Sequence, residues 1–245
     1  MKTLTLERQA IYMGNLILVD SAHPLREKPR EEELCPVDPA NPRIYLNKRA
    51  ASMLEDLTAF VGGRERIRVL SGYSQSGYPM GSAFGMQTGR FPESETGLAL
   101  DLAILEQDEK APGEPLPFEE MEKAFWEKAP LFGFIRDKEK EKRLAERLGK
   151  GKIKSGRFFG SLRYVGYPHS RIISQMDFSL KDYLRFLKDY PMEGSHYDFT
   201  SPGLAVEIFY RRMGNGEKTM LKLPGNVPFM ISGNNMDGFI ITLWR

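Results

Sequence analysis

The chain has 245 residues and a mass of 28.0 kDa, long enough for one large domain with an appendage or two small ones. Its 35 Lys and Arg against 33 Asp and Glu leave a formal charge of +2, which supplies no general polyanion-binding surface and argues against nucleic acid as a ligand. A single cysteine, Cys35, excludes an internal disulfide and a cysteine-rich metal cluster, and it lacks the sequence context of a reactive thiol.

No run reaches the roughly 20 apolar residues that a membrane helix needs, so no membrane span is expected. The apolar patch from Ile11 to Val19 is interrupted by Gly14 and Asn15, and no small-residue cleavage site follows it. It reads as a strand ended by a turn over Asp20 to Pro24, and no signal peptide is readable. Residues 25 to 43 are charged and contain four prolines, which predicts an extended surface loop.

From Asn47 onward, Ala50, Met53, Leu54, Leu57, Phe60 and Val61 recur at helical spacing, with Asn47 as cap and Gly62-Gly63 as stop. The stretch from Ile67, IRVLSGY, reads as a short buried strand. A Gly- and Ser-rich loop follows from Ser74 to Pro92, of the irregular kind that carries function. GLALDLAI then places Asp101 in the middle of a buried strand, where a carboxylate is costly unless paired or metal-bound.

FEEMEKAFWEKAPLFGFI predicts a helix turning into a strand over Gly133 to Ile135. Residues 136 to 154 carry nine basic and four acidic side chains; they read as a solvated helix or hairpin, or as a docking patch for an anionic wall polymer. FFGSLRYVG is a strand candidate followed by the turn YPHS. FSLKDYLRFLKDY is a helix with Ser179 and Asp182 in a capping-box arrangement and Leu180, Tyr183, Leu184 and Leu187 on one face. Beyond Tyr190, four short β-type runs separated by MGNGEK and GNNMDG predict hairpins and a small antiparallel β subdomain.

The order of these elements, with SGY after a strand, TGLALD on a strand, FGFI after a helix and RYVGYPH before a capped helix, resembles the VanY-type D-alanyl-D-alanine carboxypeptidases of the M15 peptidase group. The resemblance runs from about Ile11 to Tyr190. It implies an α+β fold, a hedgehog/D,D-peptidase-like domain with a central antiparallel sheet flanked by helices, here spanning 1–190. The β region at 191–245 is an added small antiparallel subdomain.

The family pattern around the strand is Ser-x-His-x-x-Gly-x-Ala-x-Asp, whose His and Asp bind zinc. A later Glu-Pro-Trp-His-Phe-Arg-Tyr-Val segment supplies the general base and the third ligand. Three protein ligands and an open position for water are what catalytic zinc requires, with a carboxylate to take the proton. With Thr96, Gly97, Ala99 and Asp101 in register, the first His position holds Ser94. With Arg163, Tyr164, Val165 and Gly166 in register, the second His position holds Ser161, the Trp position Gly160 and the base position Phe158. The family's substrate-carboxylate Arg falls on Ser74 within SGYSQS, and the segment that follows looks shortened, so that a helix covering the substrate is expected to be missing.

Of the zinc and proton-transfer set, only Asp101 is retained. Serine is a poor zinc ligand beside imidazole, and phenylalanine accepts no proton. The expectation is a family member without bound zinc or other cofactor and without turnover. Asp101 would then be satisfied by Ser94, Ser161 or Tyr73, and Tyr73, Ser74 and Arg163 are candidate ligand contacts. The resemblance implies an extracytoplasmic, cell-envelope setting, with a peptidoglycan stem peptide or an envelope or spore protein as partner. A zinc D,D-carboxypeptidase with unconventional ligands is the alternative, and a hydrolase using Ser94 or Ser161 as nucleophile is a further one. Neither has obvious support from the three histidines: His169 reads as a turn or packing residue, and His23 and His196 as surface residues.

Overall fold

The computed structural model describes residues 1–38, 42–74, 91–105, 118–148 and 156–245. The elements in chain order begin with β1 (Lys2–Glu7), β2 (Leu34–Pro36), β3 (Tyr45–Asn47), α1 (Lys48–Phe60), β4 (Ile67–Ser71) and β5 (Ala99–Leu105). Next come α2 (Phe118–Lys128), β6 (Phe134–Arg136), α3 (Lys138–Leu148), β7 (Gly156–Tyr164), α4 (His169–Met176) and α5 (Leu180–Leu187). The strands β8 (Tyr197–Ser201), β9 (Leu204–Arg212), β10 (Lys218–Leu223), β11 (Phe229–Gly233) and β12 (Gly238–Trp244) complete the chain. This is an α+β arrangement, and every named strand pair is antiparallel.

The chain forms two compact units, one of residues 28–174 and one of residues 1–27 with 175–245. A cut at residue 190 therefore does not follow the units. The reason is pairing: β1 lies along β10 from Lys2 opposite Leu223 to Glu7 opposite Lys218, which ties the N-terminal segment to the C-terminal strands.

In the 28–174 unit a four-stranded sheet runs in the order β4-β5-β7-β6. Alternation along β5 sends Leu100, Leu102 and Ile104 into one apolar core, with Leu54 and Leu57 of α1 and Met121 and Phe125 of α2. Asp101 falls on the opposite face, between Ala99 and Ala103. The helix α1 forms as its sequence predicts: the Asn47 side chain accepts from the Arg49 amide at 3.0 Å, and Gly62 ends the helix at φ +67°. Phe60 is 63 % exposed and pairs with Phe132 at a centroid distance of 5.8 Å rather than joining the core.

Two features of this unit depart from the sequence expectation. Residues 25 to 43 contain β2, which pairs with β3 through Cys35 opposite Leu46, although four prolines argued for a loop. His169 begins a helix rather than sitting in a turn, although its full burial is the packing role also expected of it; burial pushes its imidazole down to about 3, so it is neutral at physiological pH.

In the other unit β11-β12-β9-β8 form a second four-stranded sheet, the small antiparallel β structure expected at the C-terminus. GNNMDG makes the β11–β12 hairpin, with Asn235 at φ +59°. MGNGEK connects β9 to β10 without a hairpin, because β10 pairs with β1 instead. The N-terminal strand is Lys2–Glu7, while Ile11 to Val19 is largely buried irregular chain after a short 3₁₀ turn. The amphipathic α5 is capped by Ser179, whose hydroxyl oxygen accepts from the Asp182 amide at 3.1 Å, and it buries Tyr183, Leu184 and Leu187. His196 is half-buried, stacked on Phe209 at 4.3 Å and hydrogen-bonded to Glu207, so it is no free surface residue. No helix among the described residues is long and apolar enough to cross a membrane.

Candidate functional site

The site is assembled on the Asp101 face of the 28–174 sheet. Asp101 lies opposite Ser71 of β4 and opposite Ser161 of β7, so three adjacent strands present three polar side chains at one level. The Ser161 hydroxyl donates to Asp101 Oδ1 at 2.6 Å, and the Ser71 hydroxyl donates to Oδ2.

The fourth group comes from α3. Lys140 Nζ lies 2.9 Å from Asp101 Oδ1, and both side chains are 0 % exposed. The same ammonium donates to Ser94 Oγ at 3.2 Å and stands 5.3 Å from the centroid of the Phe91 ring. A buried carboxylate is thus matched by a buried cation and two hydroxyl donors.

The start of α3 fixes where Lys140 enters. Asp137 caps the helix, its Oδ1 accepting from the Lys140 amide at 2.8 Å, while its own amide donates to the Ser161 carbonyl at 2.9 Å. Burial raises the Asp137 carboxyl, against the lowering effect of that amide and of the nearby Lys140 charge. Glu141 accepts from the Ser161 amide at 2.9 Å and from Arg136 Nε at the same distance. The first turn of α3 is therefore stitched to β7 at Ser161. Lys140 and Leu144, four residues apart, form its buried stripe.

The short 3₁₀ segment Pro92–Thr96, which carries Ser94, is held by three cations. Lys140 reaches Ser94, Arg143 reaches Glu93 Oε1 at 2.5 Å, and Arg163 donates to Thr96 Oγ1 at 2.6 Å. Arg163 is buried. Burial lowers its guanidinium to about 10, opposed by Asp137 and Glu93, so it stays charged at neutral pH.

Gly160, at the family's Trp position, sits where a β-carbon would come within 2.5 and 2.6 Å of the Trp126 ring carbons. An indole from α2 occupies the space beside β7, and Trp126 packs in turn, tilted by 31°, against Phe159, the extra residue of a β-bulge between Gly160 and Phe158. Phe158 lies opposite Ala103, beyond that bulge from Ser161, and offers nothing that accepts a proton.

Of the residues singled out in the sequence, Asp101, Ser94 and Ser161 do converge, with Ser94 joined to Asp101 through Lys140. Tyr73 is bridged to Tyr45 through backbone hydrogen bonds of 2.9 and 3.0 Å, and Ser74 follows it at the edge of the described chain. The segment from residue 75 to 90, expected to be a loop, lies outside the described residues, as do residues 149–154 of the basic run. Ser71 and Lys140 were not singled out. Ser71 could not be assigned without strand register. Lys140 carried one faint signal: it stands four residues before Leu144, a buried apolar position in a charged helix.

The zinc that the family resemblance implies is not matched by these groups. Asp101, Ser94 and Ser161, which the resemblance sets at the ligand positions, supply one carboxylate and two hydroxyls, and an ammonium already neutralises the carboxylate. Among the described residues no group of three His, Cys, Asp or Glu side chains is placed to hold a metal ion.

Comparison with known proteins places this geometry in a class. No family model matches the chain. A D-alanyl-D-alanine carboxypeptidase of Enterococcus faecium is 29 % identical over 264 residues, covering 99 % of this chain and 78 % of that protein. The crystal structure of the vancomycin resistance D,D-dipeptidase VanXYg in complex with a D-Ala-D-Ala phosphinate analogue matches with a TM-score of 0.77 and 32 % identity, covering 100 % of this chain and 99 % of that one. VanYB in complex with D-alanine-D-alanine also matches, at 22 % identity over 70 % of this chain and 97 % of that one, with a TM-score of 0.44. The fold is that of the D,D-peptidases. The chain belongs to the VanX/VanY-type D-alanyl-D-alanine peptidase family.

Proposed function

We propose that this chain is a noncatalytic member of its peptidase family, a binding or scaffolding protein of the bacterial cell envelope or spore. One observation carries the reading: at the positions that the resemblance aligns with the zinc ligands, Lys140 is hydrogen-bonded to the half-buried Ser94 and ion-paired to the fully buried Asp101 in one cluster. No side chain of that cluster is left to activate water, and Phe158 replaces the base. The ligand is a peptidoglycan stem peptide or an envelope or spore protein. Tyr73 and Ser74 are the candidate contacts, with Ser74 unable to supply the cationic grip on a terminal carboxylate that Arg gives, whereas Arg163 is buried against Thr96 and serves to hold the Pro92–Thr96 segment. An extracytoplasmic location follows from the same family reading.

The relatives favour a second reading, since one is a D-alanyl-D-alanine carboxypeptidase and another a D,D-dipeptidase. On that reading the chain is a zinc D,D-carboxypeptidase of peptidoglycan using unconventional ligands. Elemental analysis of the purified protein and D-alanine release from D-Ala-D-Ala and from a muramyl pentapeptide separate the two. The noncatalytic reading requires substoichiometric zinc and no release; turnover above a no-enzyme control refutes it. Titration calorimetry with purified muropeptides then distinguishes the partners: heat with one of them supports the stem peptide, and none directs the search to a protein.

A further inference from the structure

We infer that the Lys140 ammonium is the resident cation of this site, a covalently tethered counter-charge standing where the family fold otherwise accommodates a metal ion. The inference deepens the noncatalytic reading and rests on it in treating the wild-type site as metal-free.

Three independent observations converge. Lys140 Nζ is within hydrogen-bonding reach of two of the three positions that correspond to metal ligands, Asp101 Oδ1 at 2.9 Å and Ser94 Oγ at 3.2 Å. The third, Ser161, donates to the same Asp101 oxygen at 2.6 Å, so it joins the ammonium through the carboxylate rather than directly. Both members of the ion pair are completely sealed from solvent, and a sealed carboxylate demands a cation of some kind. Finally, the lysine is aimed by construction. Asp137 caps the helix that carries it, and Asp137 and Glu141 both bind the Ser161 backbone, which locks the helix start onto the strand that bears the third position.

The consequence is a site whose charge state does not depend on metal supply. A divalent ion and a lysine ammonium are alternatives for the same anionic socket, and two hydroxyls suit the ammonium, since they can accept from it or donate to Asp101 as needed. Histidines at positions 94 and 161 would suit the metal instead. The side chains at 94, 140 and 161 therefore act as one set, and placing histidines at 94 and 161 alone should not create a metal centre.

Two experiments test this. In Lys140→Ala the missing atoms correspond to n-propylammonium, so adding that amine should raise the melting temperature of the variant by about 5 °C or more at saturating concentration. It should leave the wild type and the charge-free pair Asp101→Asn with Lys140→Met unmoved. Neutral 1-propanol should give no comparable rise. Equal rescue by propanol, or none by the amine, would show that the lysine stem is filler and would overturn the inference.

The second experiment uses cobalt(II) and its visible absorption. Ser94→His with Ser161→His and Lys140→Ala should bind one Co²⁺ with an intense tetrahedral spectrum, and the same two histidines with Lys140 retained should bind at least about 100-fold more weakly. Equal binding by both variants, or failure of the triple variant to bind while folded by circular dichroism, refutes the coupling. D-alanine release by the wild type would sink the noncatalytic reading and would not alter either of these comparisons.

Discussion

Lys140→Met is the sharpest perturbation of this molecule. It removes the ammonium, keeps most of the side-chain volume and leaves Asp101 0 % exposed with only the Ser71 and Ser161 hydroxyls as donors. Breaking a buried pair by removing one partner costs about 3–5 kcal/mol, and the two remaining hydroxyl donors place the expectation near about 3 kcal/mol. At about 2–4 °C per kcal/mol for a chain of this size, the melting temperature should drop by about 6–12 °C. Calorimetry combined with urea unfolding followed by circular dichroism measures this, and the loss should fall on the transition that includes residues 28–174. The companion variant carrying both Asp101→Asn and Lys140→Met has no charge to strand. It should lie within about 1.5 kcal/mol of the wild type, recovering about half or more of the loss seen in Lys140→Met alone. A single variant as stable as the wild type, or a double variant as damaged as the single, would refute the ion-pair reasoning.

Gly160→Ala should cost about 1–3 kcal/mol by urea unfolding, because its β-carbon meets the Trp126 ring at 2.5 Å, and Trp126→Leu should reduce that penalty when combined with it. His169 is held down to about 3 by burial, against 6.5 when unfolded. The unfolded chain therefore binds a proton that the folded chain excludes, and stability should fall as pH drops below 6.5, by up to about 1.4 kcal/mol per unit. His169→Gln should flatten that slope in urea titrations between pH 7 and 5. At Glu207 burial raises the carboxyl, but hydrogen bonds from His196 and Arg245 outweigh it and hold the group below its ordinary 4.5. Its stabilising contribution is present above pH 4.5 and is lost as pH falls through the lower folded value, so Glu207→Gln should be less sensitive to acid there. A fluorophosphonate probe should not label Ser94, since Lys140 is committed to Asp101 rather than free to act as a base; stoichiometric modification of Ser94 by mass spectrometry would count against that assignment.

Local signals in the sequence determined a good deal about this protein. The cap and stop of α1, the capped amphipathic face of α5, the buried strand around Asp101 and the GNNMDG hairpin are short-range patterns, each set by residues within one or two turns of one another. So was the family assignment, carried by ordered short motifs, whereas the sparse chemistry read at positions 94, 158 and 161 stands as a proposal that rests on the same register. The tertiary structure decided what fills the gap. Ser71 reaches Asp101 across a strand pair, Lys140 reaches it from a helix 39 positions further along the chain, and Trp126 takes the space beside Gly160. β1 likewise finds β10 across more than two hundred residues, displacing the hairpin that MGNGEK suggests. Such contacts depend on register and on the angle at which elements pack, which no local pattern encodes. A lysine in a run of charges reads as solvated until a cap and two backbone hydrogen bonds turn it inward, onto the one carboxylate that needs it.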